Sequence, residues 1–265
     1  MSRRLRRRLV STWKRARVYL PATLLILLAL AAWQLYVSIA GVSDVILPTP
    51  VRVASTLTSQ WSTLEPQVIV TLREALTGFA LGVSIGVGLA ILITSSRILR
   101  LALYPLLIAT QAIPVLAIAP LLITWFGYGD TSKVLVSALL TFFPVVVNTA
   151  TGLDSLDPGV VALMRSFPAR RIQIFWRGTL PNALPQIFSG LKIAAVLSVI
   201  GAVVGEWVGA DAGLGYLIVR ANASLSTDLV FAAIVLLALM GILFFGAVAV
   251  LESIALPWRR QVKHS

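Results

Sequence analysis

Cysteine is absent from the chain, which removes disulfides and thiol chemistry and leaves the compartment open. Histidine occurs once, as His264, one residue from the end, so a His-based catalytic group or metal site has no material to be built from. No Gly-x-x-x-x-Gly-Lys-Ser/Thr loop is present, and without that phosphate cradle the chain does not itself hydrolyse ATP. Charge is scarce: 12% of the 265 residues are Asp, Glu, Lys or Arg, and only 10 residues are acidic. Hydrophobic residues, by contrast, make up 58%, and the mean hydropathy is +0.93. A soluble domain of this length has too little interior to hide that much apolar surface, so lipid must be the solvent for much of it. The formal charge of +12 does not point to nucleic acid, because the basic residues sit between long uncharged runs rather than along one polar face.

A helix crossing the ~30 Å hydrocarbon layer needs about 20 apolar residues. No charged residue occurs in 18–43, 75–96, 101–129, 134–153 or 229–251, which supply spans 1, 2, 3, 4 and 6. Span 5 is placed at 185–208, where Lys192 and Glu206 interrupt it. Those two are about 21 Å apart along a helix, so each can sit near a different membrane surface. The basic stretch Arg3 to Arg17 followed by an apolar run is read as an uncleaved first span, because the run is too long for a secretory signal and no small-residue cleavage pattern closes it. The fold class expected is therefore an all-α polytopic membrane protein with six transmembrane helices.

Orientation follows from the positive-inside rule. With the N-terminus in the cytoplasm, inner segments hold 17 basic residues and outer segments hold Arg52, Lys133 and Arg220. Both termini are expected to be cytoplasmic. The organisation expected is a basic tail (1–17), a first span with its extracytoplasmic connection (18–66), a membrane domain holding the other five spans (67–252) and a second cytoplasmic tail (253–265).

Within the spans, Gly78, Gly82 and Gly86 have the small-xxx-small spacing that lets helices approach closely in lipid. Pro105, Pro114 and Pro120 in span 3 and Pro144 in span 4 either kink helices for packing or break backbone along a pathway. Gln111 and Asn148 either bond between helices or line that pathway. Glu206, beside Trp207, is either an interfacial anchor or part of a gate. Lys192 is expected to snorkel to the inner surface, and Gly213-Leu-Gly-Tyr216 to form a turn after span 5.

The stretch from Asp154 to Pro185 carries the most information. Asp157 followed by Pro158 is a good helix start, with the carboxylate as N-cap and proline at the first helical position. A break at Ser166-Phe167-Pro168 precedes a second helix expected to run from Pro168 to near Gly178. Two short amphipathic helices thus lie near 157–179 on the cytoplasmic side, presenting Arg165, Phe167, Arg170, Arg171, Phe175 and Trp176. Physics alone leaves two readings open: a hairpin resting on anionic lipid, or a docking knob for another protein.

This segment, with Leu180-Pro181 after it, resembles the cytoplasmic "EAA" loop of binding-protein-dependent ABC importer permeases. In that family the loop reads Glu-Ala-Ala, three residues, Gly, nine residues, Ile, one residue, Leu-Pro. Aligned on Leu180-Pro181, the glycine position falls on Pro168, the Ile position on Gly178, and Glu-Ala-Ala on Ala162, Leu163 and Met164, so only the Leu-Pro end survives. Proline does not take the positive φ that glycine allows, so the turn geometry must differ. Other stretches resemble the family in order: Leu47-Pro-Thr-Pro50, Gly78-Phe79, Ile113-Pro114, Ala119-Pro120, Phe142-Phe-Pro144, Asn148-Thr149, Gly190-Leu-Lys-Ile-Ala194, Gly205-Glu-Trp207 and Gly213-Leu-Gly-Tyr-Leu217. Together they are similar to the branch serving taurine, alkanesulfonate, nitrate and vitamin-precursor uptake.

The resemblance implies a type I ABC importer permease fold, and a pair of permease copies, here a homodimer, above a pair of ABC ATPase subunits. It also implies delivery by an extracytoplasmic substrate-binding protein. Coupling to the ATPase would fall to Arg165, Phe167, Pro168, Ala169, Arg170, Arg171 and Phe175. The pathway candidates are Gln111, Asn148 and Glu206. No cofactor and no nucleic acid is implied. The Gly205-Glu-Trp-Val-Gly-Ala210 run and the Ser166-Phe-Pro-Ala169 turn resemble permeases for heterocyclic vitamin compounds of the riboflavin or pyrimidine-precursor type; a sulfonate or nitrate is the alternative. An ion-coupled secondary transporter would show inverted repeats or several intramembrane charges, and a membrane enzyme a buried nucleophile with a base; neither pattern is evident.

Overall fold

A computed structural model describes residues 3–167 and 169–257, with side chains from residue 20 onward. The expectation for Pro168 and those for the tail beyond residue 257, including His264, lie outside the described residues. The chain divides into two compact units, Met1–Trp61 with Ala221–Ala232, and Ser62–Arg220 with Ala233–Ser265.

The first unit holds α1 (Arg3–Ala40), α2 (Pro50–Ser59), the end of α10 (Leu214–Ala223) and the start of α11 (Thr227–Ala255). From Leu20 to Ile39 the side chains of α1 are nearly all exposed, as expected for an apolar helix whose solvent is lipid. The Leu47-Pro-Thr-Pro50 element is a helix start: Thr49 accepts from the Arg52 N–H at 3.2 Å and Pro50 takes the first helical position, where its missing N–H costs no hydrogen bond. Arg52 pairs with Asp44 at 2.9 Å, and the Thr56 hydroxyl donates to Asp228 at 3.0 Å. Trp33 and Phe231 stack 5.6 Å apart.

In the second unit, α3 (Trp61–Ser95), α6 (Asp130–Asp154) and α9 (Leu180–Gly209) are held together by small residues. Lipid tails are as apolar as leucine, so burial supplies little drive between helices and close van der Waals contact must supply it. Gly78, Gly82 and Gly86 of α3 lie against Ser137, Thr141 and Val145 of α6, so the predicted stripe is an interface and the two helices run parallel. On the other side of α6, Gly205, Gly201 and Gly190 of α9 lie against Lys133, Ser137 and Asn148, while Gly152 of α6 meets Ala183, so α6 and α9 are antiparallel. The Ser137 hydroxyl donates across this second contact to the Ser198 carbonyl at 2.9 Å. α11 packs on both neighbours: Phe79 meets Phe244 at 4.8 Å, and Lys192 pairs with Glu252 at 2.8 Å. Lys192 thus finds a carboxylate three residues before the end of α11.

Five helices are long and apolar enough to cross a membrane, and a sixth crossing requires joining α4 (Arg97–Gln111) to α5 (Val115–Phe126). That corrects the expected span 3, which is not one rod but two helices bent by 99°. Pro114 lacks the N–H that would continue the ladder and holds extended φ/ψ as the cap of α5. Neither half, at about 22 and 18 Å, crosses ~30 Å alone. The break sends the halves to different partners: Leu107 of α4 packs with Ala90, Ile93 and Val146, whereas Ala119 of α5 packs with Val136 and Val204. Because α3 and α6 run parallel, the pair between them must return the chain to the end where α3 began.

Candidate functional site

At the break between α4 and α5 lies a cavity of about 490 Å³, lined by Gln111 and Pro114 on the broken pair, Phe142 and Phe143 on α6, and Leu197 and Val204 on α9. Gln111 is exposed and is its amide-bearing residue. Asn148 is turned to a different use: its Nδ2 donates to the Pro144 carbonyl at 2.8 Å in its own helix, while its Cβ faces Gly190. The prolines at 114 and 144 both border the cavity; Pro105 and Pro120 sit inside α4 and α5.

Glu206 does not line this cavity. It is 2% exposed, and it belongs to a cluster with Glu74, also 2% exposed, and Lys133, 4% exposed. Lys133 Nζ lies 3.0 Å from Glu74 Oε1 and 4.0 Å from Asp130 Oδ1. Glu206 accepts from the Thr71 hydroxyl at 2.6 Å and from the Gly215 N–H at 2.5 Å. Thr71 in turn accepts from the Leu214 N–H at 2.8 Å, and Gln67 from the Gly213 N–H at 2.6 Å. A buried charge is tolerated when it is paired or its oxygens are bonded: Glu206 has the Thr71 and Gly215 hydrogen bonds, whereas Glu74, whose oxygens take no hydrogen bond among the described residues, has the Lys133 ammonium. The Gly213-Leu-Gly-Tyr run is thus more than a turn. Gly213 has φ +111°, and a Cβ there would overlap the Glu206 carboxylate; a Cβ at Gly215 would come 2.8 Å from Glu206 Oε2.

Sequence reasoning does not single out Glu74 or Thr71 and counts Lys133 among the basic residues of the outer segments, because Glu74 and Lys133 border the uncharged stretches. A signal was present. Glu74 is four residues before Gly78, on the same stripe as Gly82 and Gly86, and Lys133 is four before Ser137. The helix register that sets Gly78 on Ser137 therefore sets Glu74 on Lys133.

The hairpin begins as expected. Asp157 caps α7 (Pro158–Ser166), accepting from the Gly159 N–H at 2.6 Å. Arg165, Phe167, Arg170 and Arg171 are exposed, Ala169 and Phe175 half-buried, and Phe167 is 70% exposed despite its aromatic ring. The second helix departs from expectation. α8 (Arg171–Ile174) starts later than residue 168 and does not stop at Gly178: it passes through a π-turn, Phe175–Thr179, directly into α9. Pro181 explains the turn. It lacks an N–H to bond one turn back, and the Leu180 N–H reaches Phe175 O instead. The hairpin's second helix and span 5 are thus one continuous helical body from Arg171 to Gly209.

The sequence profile of the family described as "Binding-protein-dependent transport system inner membrane component" matches residues 78–253, which takes in the glycine stripe, the broken pair, Lys133 and Glu206 of the charge cluster, the hairpin and most of α11. The chain belongs to this family of ABC transporter permeases. It is 40% identical to the formylaminopyrimidine transport permease protein ThiX of Halalkalibacterium halodurans, over 94% of this chain and 99% of that one. It is 39% identical to the riboflavin transport system permease protein RibX of Chloroflexus aurantiacus, over 90% and 89%. It is 35% identical to SsuC of Bacillus subtilis, named for aliphatic sulfonates transport, over 87% and 84%. Among solved structures, a chain of the inward-facing MetNI methionine ABC transporter shares the fold with a TM-score of 0.58 at 21% identity, covering 72% of this chain and 98% of that one. The permease is thus a multi-pass inner-membrane component of a transporter, a translocation subunit rather than an enzyme.

Proposed function

We propose that this permease forms, as a homodimer, the pathway of an ATP-driven importer for a small heterocyclic vitamin or precursor of the hydroxymethylpyrimidine or riboflavin type. An ABC ATPase supplies the energy, an extracytoplasmic binding protein delivers the solute, and both termini lie in the cytoplasm. Residues 67–252 are the permease domain, a division supported by the family match over 78–253. The observation that carries the cargo reading is the identity of 40% and 39%, over nine-tenths of the chain, to permeases named for formylaminopyrimidine and riboflavin. The cavity chemistry agrees. Phe142 and Phe143 offer rings, Gln111 offers an amide, and none of the residues lining the cavity is charged, so a flat neutral ring has partners there that a sulfonate lacks. The likeness to the sulfonate permease keeps that class as the second reading.

The seat of the ATPase is the hairpin that carries Arg165, Phe167, Pro168, Ala169, Arg170, Arg171 and Phe175, its exposed tip at Phe167 and Arg170 making the contact. Motion imposed there passes into α9 without a hinge loop, since helix is unbroken from Arg171 to Gly209. α6, locked to α9 by glycines, moves with it. The test is reconstitution of the permease with its ATPase and binding protein in liposomes, offering a formylaminopyrimidine, riboflavin, taurine and nitrate in turn. ATP-dependent uptake of a heterocycle is expected. Uptake of taurine or nitrate alone would overturn the cargo, and uptake by the permease alone on an ion gradient would overturn the transport class.

A further inference from the structure

A second cavity, of about 390 Å³, lies where the ends of α3 and α6 meet the hairpin. Two arginines line it, Arg165 from α7 and Arg171 from the first turn of α8, and Thr94, Ser95 and Thr179 add hydroxyls. Its carboxylate, Asp154, is already held by Arg100 of α4 at 2.6 Å. Among the described residues neither Arg165 nor Arg171 has a carboxylate within salt-bridge distance, so the cavity carries an uncompensated positive charge. The remaining wall is apolar: Ile91 of α3, Leu153 of α6, Ile174 of α8 and Phe175 of the π-turn. Paired guanidinium groups with hydroxyls beside them suit a phosphate, and an apolar wall continuous with the lipid-facing side of α3, where Ile91 is exposed, suits what a lipid phosphate is attached to.

We infer that this cavity is a binding site for the phosphate headgroup of an anionic phospholipid, held by Arg165 and Arg171 beneath the hairpin. The inference rests on the reading that residues 157–179 lie at the cytoplasmic face. It divides the hairpin's cations. Arg165 and Arg171 face the cavity, whereas Arg170 is exposed and does not line it, leaving Arg170 and Phe167 to the ATPase. A lipid in this position sets the spacing between the hairpin and the feet of α3 and α6, so membrane composition tunes coupling without a further protein.

The full-length permease, purified without its ATPase, is placed in vesicles of equal parts phosphatidylcholine and phosphatidylglycerol, and the lipids it retains are counted by native mass spectrometry. The expected result is a preference for phosphatidylglycerol of roughly twenty-fold, about a factor of five from each arginine near an anionic headgroup. Arg165→Gln with Arg171→Gln should abolish the preference, and Arg170→Gln should leave it. Inorganic phosphate added in excess should not displace the retained lipid. Displacement by phosphate, with no choice between lipids, would overturn a lipid source in favour of a free anion. A double variant that keeps the preference but no longer co-purifies with the ATPase would assign both arginines to the ATPase and end the proposal. Retention is read without ATP or cargo, so failure of the importer reading would show only in the liposome assay. A misfolded double variant is recognised by lost dimer or insertion, and Arg165→Lys with Arg171→Lys, which keeps the charge, should then restore the preference.

Discussion

Lys133 is the residue on which the buried charges depend. It is the cation that faces Glu74, and it lies in the same cluster as Glu206. Lys133→Met removes that cation and leaves two carboxylates packed among helices, at a cost of about 3–5 kcal/mol. Glu206→Gln keeps the shape, and Lys133 keeps Glu74, so the loss is the smaller one of a weakened hydrogen-bond acceptor, about 1–3 kcal/mol. Thermal unfolding of the detergent-solubilised permease should separate the two variants by several degrees. Equal losses would mean that packing rather than charge holds the cluster. The glycines give a second contrast. Gly213→Ala forces a side chain onto φ +111° and into the Glu206 carboxylate, costing about 1–3 kcal/mol from the backbone alone. Gly88→Ala, on the same helix as the packed stripe but with open space around it, should be neutral or stabilising by up to about 1 kcal/mol.

At the scale of elements, the junction of hairpin and α9 decides how a push becomes a movement. Arg170→Glu inverts the charge at an exposed position, so insertion and thermal stability should be unchanged while ATPase co-purification and uptake are lost. Retained uptake would mean that the hairpin's tip does not seat the ATPase. Pro181→Ala tests the π-turn. A backbone N–H restored at 181 lets the five-residue turn tighten to an α-turn, which shifts the hairpin around the helix axis by about 100° relative to α9. The ATPase should still bind, yet its ATP hydrolysis should no longer respond to the loaded binding protein. Normal coupling in this variant would show that the π-turn is only a consequence of proline and carries no positional role.

For the whole molecule, the helix directions make a topology that can be checked. α3 and α6 run parallel and α9 antiparallel to them, in agreement with six crossings in which the broken α4–α5 pair counts as one. With the 17 inner basic residues cytoplasmic, reporters fused after Gly41, Ser96, Gly129, Ala169 and Asn222 should read out, in, out, in, out. A reporter that places Ser96 and Gly129 on one side would make α4–α5 a re-entrant loop and leave five crossings. The same result would put Ala169 outside and remove the hairpin from the ATPase.

Five of the crossings, the Asp157-Pro158 helix start and the family were legible in the chain itself, because each rests on neighbours in sequence. Twenty apolar residues make a crossing wherever they occur, and an aspartate before a proline caps a helix by its own local bonds. The glycine stripe was legible as an interface for the same reason, although its partner was not. Three matters were decided only by the tertiary structure. Glu74, Lys133 and Glu206 come from helices up to 132 residues apart in the chain, and whether a carboxylate at a span end meets water or an ammonium depends on the register between helices. The fate of span 3 depended on its halves finding different partners on α3, α6 and α9, which hydropathy does not encode. The hairpin's second helix runs on past Gly178 because α7 packs close to that glycine, with Met164 beside it, and because Pro181 only loosens the turn before it. Local sequence sets what each segment is, and the contacts between distant segments set what its charged and broken positions do.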